Sequence, residues 1–159
     1  MQLSNVRDWL KTLDVAENYY IGRLDNKKER SLGVYARRGS GRPVMALGGL
    51  TNSGYGILRV SLLLHWNRNA RETEEAARAL WDAVCCVTDI DISAPGTVSA
   101  APSADTEGAS DPNAEAEEAA PVAAHIQYVQ PNVPEPVAVG TDDGGVYEYV
   151  IELNIYYRR

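Results

Sequence analysis

An α+β fold is predicted for this chain, a largely antiparallel sheet of about four to five strands with two helices packed on it. Three segments carry the prediction. Residues 145–159, GVYEYVIELNIYYRR, alternate side chains with a period of two, the mark of a strand with one buried face. Residues 57–66 repeat that alternation. Residues 70–86, ARETEEAARALWDAVCC, replace it with the 3.6-residue period and strong helix formers of an amphipathic helix.

From the start of the chain, residues 3–13 place Leu3, Val6, Leu10 and Leu13 on one helical stripe with Trp9 beside it. Residues 18–24 and 31–37 are short apolar runs on either side of the polar stretch DNKKE, and a hairpin is expected there. Between Arg38 and Gly56 stand six glycines, dense enough to deny regular structure, so a functional or mobile loop is expected. In residues 57–66, Leu58, Val60, Leu62, Leu64 and Trp66 share one face, while Arg59, Ser61 and His65 lie on the other. In the second helix Ala76, Ala77, Leu80, Trp81 and Val84 form the packing stripe, and acidic residues stand in its first turns, where the helix dipole favours them.

Residues 93–124 consist mainly of Ala, Ser, Pro, Gly, Asp and Glu. Such a tract cannot offset its ordering entropy by burial. It divides the sequence into a single α+β domain made of residues 1–92 and 125–159 and an acidic low-complexity insertion between them. Residues 125–130 then offer a short strand, PNVPEP an extended connection and TDDGG a turn into the last strand. That strand would span about 40 Å, twice the common length. Its excess is expected to project from the domain or to pair with a neighbouring chain.

The formal net charge of −7 is unevenly spread: +2 over residues 1–92, −6 over 93–124 and −3 over 125–159. A free-standing nucleic-acid binder would concentrate a basic excess on one face. The two cysteines, Cys85 and Cys86, are adjacent in a helix, where a bridge between them would be strained, so thiols in a reducing cytosol are expected. No basic-then-apolar leader and no run of about 18 apolar residues occurs. An intracellular site of synthesis without membrane insertion is expected.

Motifs for chemistry are sparse. His65 and His125 stand sixty residues apart without close Cys, His or carboxylate spacing for a metal. The glycine loop has neither G-x-x-x-x-G-K-[ST] nor a following helix. Ser40 and Ser53 lack a G-x-S-x-G setting and an identifiable base. Pairs such as Asp89 with Asp91, or Asp142 with Asp143, sit where turns and strand ends commonly place Asp. No cofactor, metal or catalytic residue is therefore expected. Arg37, Arg38 and Arg42 are the one local basic cluster, suited to an acidic partner surface or to phosphates.

The ordered pieces NYYIGRLDNKKERSLGVYARRGSGRP, LRVSLLLHWNRNARETEEAARALWDAV and VGTDDGGVYEYVIELNIYYRR resemble the minor capsid or tail-terminator proteins of long-tailed bacteriophages. The resemblance covers roughly two thirds of the chain, and the acidic insertion departs from it. It implies a structural virion protein that forms a ring, commonly a hexamer, which caps the tail tube and joins it to the neck or head-completion proteins. The implied place is the tail–neck junction of the virion, after assembly in the host cytoplasm, with phage DNA passing through the lumen without sequence-specific binding and with no membrane partner. A closed ring needs complementary patches. The candidates are the glycine loop, with Arg37, Arg38, Arg42 and Tyr55, and the end of the last strand, with Tyr156, Tyr157, Arg158 and Arg159. The alternatives are another head–tail connector protein, a DNA-binding accessory protein using the arginine cluster, and a small hydrolase or nuclease using His65 with Arg59 on an exposed strand face.

Overall fold

A computed structural model of the chain describes residues 1–25, 28–39, 46–49, 52–85, 87–93 and 122–158. Ser40, Arg42, Cys86, Arg159 and the body of the acidic insertion lie outside the described residues. The described elements are α1 (Leu3–Thr12), β1 (Asn18–Ile21), β2 (Ser31–Ala36), β3 (Tyr55–His65), α2 (Ala70–Cys85), β4 (Thr88–Ser93), β5 (Val122–Pro131), β6 (Val137–Thr141) and β7 (Tyr147–Arg158). They build an α+β fold in which a mixed, mostly antiparallel sheet carries both helices.

The two longest strands form the centre. β3 and β7 pair antiparallel through eleven consecutive positions, from Tyr55 opposite Arg158 to His65 opposite Glu148. Alternation assigns Val60, Leu62, Leu64, Ile151, Leu153 and Ile155 to one face, where all six are buried. β2 adds Leu32 and Val34 to that face through its antiparallel register with β3. Both helices cover it. α1 buries Val6, Trp9 and Leu10 and touches β1 and β2 as well as β4, so the sheet curls around it. α2 buries Ala77, Leu80 and Val84 against β7 and β5, giving one continuous core. At the start of α2, Asn69 Oδ1 accepts from the Arg71 N–H at 3.2 Å, satisfying one of the helix's first donors.

The sheet has seven strands rather than four or five, in the order β1-β2-β3-β7-β5-β4 with β6 also on β7. β4 carries only two apolar residues in alternation, and β6 is exposed at all five positions. Neither gives the burial pattern that marks a strand. Ser93 and residues 122–124, which composition groups with the insertion, are the ends of β4 and β5.

The hairpin expected from residues 18–37 is not formed. β1 runs parallel to β2, with Asn18 beside Ser31 and Ile21 beside Val34. The connecting residues carry the chain back to the starting level instead of folding it over. Gly22, at φ 68°, turns it out of β1 and Arg30, at φ 51°, turns it into β2. Leu24 is buried between them. A Cβ on Gly33 would lie 2.6 Å from Tyr35 Cε2 and 3.1 Å from Leu24 Cδ1, so glycine leaves room for both side chains. Arg30 closes the junction: its carbonyl accepts from Glu17 and Asn18, and its N–H donates to the Trp66 carbonyl at 2.8 Å.

Nor does the last strand project from the domain. One edge of β7 is taken by β3, and the other by β6 over its first half and β5 over its second. Two short strands laid end to end match one long one. Because Leu153 sits at the middle of this buried arrangement, Leu153→Ala is expected to cost about 2–5 kcal/mol. Val139→Ala, on exposed β6, should change stability by no more than about 0.5 kcal/mol. Urea unfolding checks both through the midpoint at constant slope.

Candidate assembly interface

The face of the sheet opposite the helices is half-exposed and follows the outward residues of β7. Glu148, Val150, Glu152, Asn154 and Tyr156 form its spine, and every polar member has a cross-strand partner. Arg37, just past β2, donates from Nη1 to Glu152 Oε2 at 2.7 Å and from Nη2 to Asn154 Oδ1 at 3.5 Å. Asn154 Nδ2 donates to Asn132 Oδ1 at 2.8 Å, and the Asn132 N–H donates to the Glu152 carbonyl. Arg37 and Glu152 are each about one-third exposed, so their attraction is less screened than that of a surface pair.

At one end this face becomes aromatic. Tyr156 stacks on Tyr128 of β5 with ring centroids 4.2 Å apart and planes at 14°. Tyr55 of β3 lies on its other side at 6.3 Å. The Tyr156 hydroxyl donates to Gln130 Oε1 at 3.1 Å. Three strands thus present a continuous tyrosine ladder, with Tyr55 and Tyr128 36% and 42% exposed. The Tyr128 hydroxyl is held above the ordinary tyrosine range, first by loss of hydration and then by the Tyr156 hydroxyl. Tyr35 is raised too, by burial first and the Glu148 charge second, against a lowering hydrogen bond from the Leu24 backbone.

At the other end lies His65. Its place on an exposed strand face, expected from alternation, is overturned: the side chain is fully buried. Nδ1 is 3.1 Å from Glu148 Oε1, and Nε2 points toward Asp142 Oδ2 at 4.0 Å without a hydrogen bond among the described residues. Asp142 itself orders the β6–β7 turn, since its Oδ1 accepts from the Gly144 and Val146 N–H groups at 2.9 and 2.8 Å. The turn covers the histidine. His65 therefore fastens the β6–β7 hairpin to β3 and has no exposed atom with which to meet a substrate. Arg59, its proposed partner, is six residues along the strand, about 20 Å away, with its guanidinium against Gly39. The two do not form a site.

His125 is bracketed by carboxylates, with Nδ1 2.6 Å from Asp91 and Nε2 3.1 Å from Asp89. Among the described residues no group of three or more His, Cys, Asp or Glu is arranged to hold a metal ion. No described helix is long and apolar enough to cross a membrane.

Of the residues singled out in the sequence, Tyr55, Tyr156 and Arg158 come together at the aromatic end of the open face, Arg158 standing opposite Tyr55 in the register. Arg37 is on the same face but is engaged by Glu152, and Arg38 is exposed beside it. Tyr157 is separated from them. It points to the helix side, where its ring lies over Gly56 and a Cβ at that glycine would be 2.4 Å from Tyr157 Cζ. Tyr128 is the member that sequence inspection did not find. Its place depends on a register shift between Ile126 and Tyr128, which brings it onto Tyr156.

His65→Ala should lower unfolding free energy by about 1–3 kcal/mol, because Glu148 loses its partner in a half-buried setting, whereas Glu148→Gln, which keeps an acceptor, should cost less; denaturant titration compares them. The tyrosines give a pH dependence. A phenol whose folded-state pKa is raised contributes stability fully below the unfolded value of about 10 and loses it as pH rises through the folded value. In a 295 nm absorbance titration, Tyr128→Phe and Tyr35→Phe are each expected to remove ionisation from the late alkaline limb. Compared with protein-family models, curated proteins and solved structures, the chain matches none.

Proposed function

We propose that the protein is a structural subunit of a ring, a tail terminator that caps a phage tail tube and joins it to the neck or head-completion proteins. The observation that supports this most is the one-sided cover of the sheet: both helices pack on one face, and the other presents the tyrosine ladder to solvent. Large, rigid, amphipathic tyrosines are favoured contact residues because they bury much area for little lost conformational freedom. The second support is the resemblance carried by the quoted sequence segments. In this account Tyr55, Tyr128, Tyr156 and Arg158 contact a neighbouring subunit, the tube protein or the neck protein, and the ring is a homo-oligomer, commonly a hexamer. It resides at the tail–neck junction of the virion, DNA passes its lumen without sequence-specific contact, and the subunit has no catalytic role.

Another head–tail connector protein would use the same surface, and tube capping distinguishes the two. A DNA-binding accessory role draws on the stacked tyrosines beside Arg158, but the Arg37 charge is already engaged by Glu152.

Negative-stain imaging of the purified protein mixed with its tail-tube protein tests the proposal. Rings, or tubes closed at one end, are expected for the wild type, with capping reduced at least tenfold by Tyr156→Ala at unchanged melting temperature. Uncapped tubes beside monomers would contradict it. Salt-sensitive retention on DNA without capping would transfer the role to nucleic-acid binding.

A further inference from the structure

The half of the sheet next to the β6–β7 turn is a five-stranded ribbon with two free edges. A single row of register partners crosses it: Tyr19 with Leu32, Leu32 with Leu64, Leu64 with Tyr149, and Tyr149 with Ala138. The next row runs through Tyr20, Gly33, Leu63, Val150 and Val137. β1 and β6 are thus the two borders of one ribbon at one level, and no other described strand pairs with the outer edge of either.

Both borders have backbone groups turned outward. In β1 the Asn18 N–H donates to Arg30 and the Gly22 N–H to Val34, so alternation directs Tyr19 and Ile21 away from β2. In β7 the Tyr147 N–H donates to Asn67, and the Tyr147 carbonyl accepts from Trp66. Glu148 and Val150 therefore face β6, and Ala138, opposite Tyr149, turns its N–H and C=O outward. Both borders also expose apolar side chains: Ile21 is 38% exposed, Val137 47% and Val139 57%. Unpaired apolar edges of this kind are templates for strand addition.

Strand direction makes the borders complementary. β1 runs with β2, against β3, with β7 and against β6. Laid beside β6, a second copy's β1 is antiparallel to it. The lengths match at four and five residues. Charge matches as well, since continuation in row brings exposed Arg23, just past β1, toward exposed Glu135, just before β6.

We propose that copies of this chain join head to tail by antiparallel pairing of β6 of one copy with β1 of the next, continuing the ribbon between subunits. The contact is heterologous, the kind that generates rings when its rotation closes. It rests on the self-assembly proposed above and names the surfaces that carry it.

Complementation tests the inference with the full chain. Ile21→Lys spoils the β1 border, and Val137→Lys with Val139→Lys spoils the β6 border. Each variant alone is expected to sediment as the 17.3 kDa monomer at concentrations where the wild type assembles. Mixed, they should form a 1:1 complex of twice that mass and nothing larger, because each retains the one border the other needs. Should a lysine variant melt below the wild type, Ala138→Pro, which removes an outward-facing N–H, replaces it on the β6 side. Variants that still assemble as the wild type does, or that fail to complement when mixed, would overturn the edge pairing while leaving the ring proposal to the tube-capping assay. A wild type that remains monomeric at every concentration would overturn the edge pairing as well.

Discussion

Everything in this molecule is referred to the pairing of β3 with β7. Eleven consecutive partners align two long strands, and that alignment decides which side chains face the helices. A slip of β7 by one position would carry Ile151, Leu153 and Ile155 to the open face and bring Glu152 and Asn154 into the core. The apolar burial on one side and the satisfied polar spine on the other both oppose such a slip. Arg37 with Glu152 and His65 with Glu148 add fixed points along the outer side. The remaining strands are then placed by what β3 and β7 leave free: β2 on the outer edge of β3, β5 and β6 on the outer edge of β7.

The same arrangement separates a buried interior from a face open to solvent. The helix-covered face holds the core. The open face holds polar groups that are mostly paired with one another and one aromatic ladder that is not fully covered. His65 belongs to the first category despite its polar side chain, because it joins the turn ordered by Asp142 to the central strand. The tyrosines belong to the second, since Tyr156 has a neighbour on either side and solvent above. The proposed assembly through β6, β1 and the ladder would leave the central pairing undisturbed, so that the chain would be stable on its own.

Much of the fold was legible in the sequence where burial and period coincide. α2, β3 and β7 are long enough for alternation or the 3.6-residue period to be unmistakable, and Ala77, Leu80, Val84, Val60, Leu62, Ile151 and Leu153 occupy the faces they were expected to occupy. Features that depend on partners in space were not legible. The parallel course of β1 follows from the return path at Gly22, Leu24 and Arg30, and two apolar runs around a polar turn give no hint of direction. β6 is a strand because β7 holds it, not because its own side chains are buried. His65 shares a face with exposed residues yet is covered by a turn that is distant in sequence. Among the candidate site residues, Tyr55, Tyr156 and Arg158 are identifiable as aromatic and basic groups near strand ends, whereas Tyr128 requires the register shift in β5, and Tyr157 lies on the helix side of β7.

The central claim is that the β3–β7 backbone pairing is complete within one chain and takes no part in the proposed contacts between copies. Hydrogen exchange of backbone amides, followed by mass spectrometry at low and high protein concentration, tests it most directly. Amides of residues 57–64 and 149–156 should exchange slowly at both concentrations, while those of Tyr19, Ile21 and Ala138, which face outward, should exchange rapidly when dilute and slow on the proposed assembly. Rapid exchange through residues 149–156 in the dilute protein, with protection gained there on assembly, would mean that the last strand is completed by a neighbour and would contradict the account.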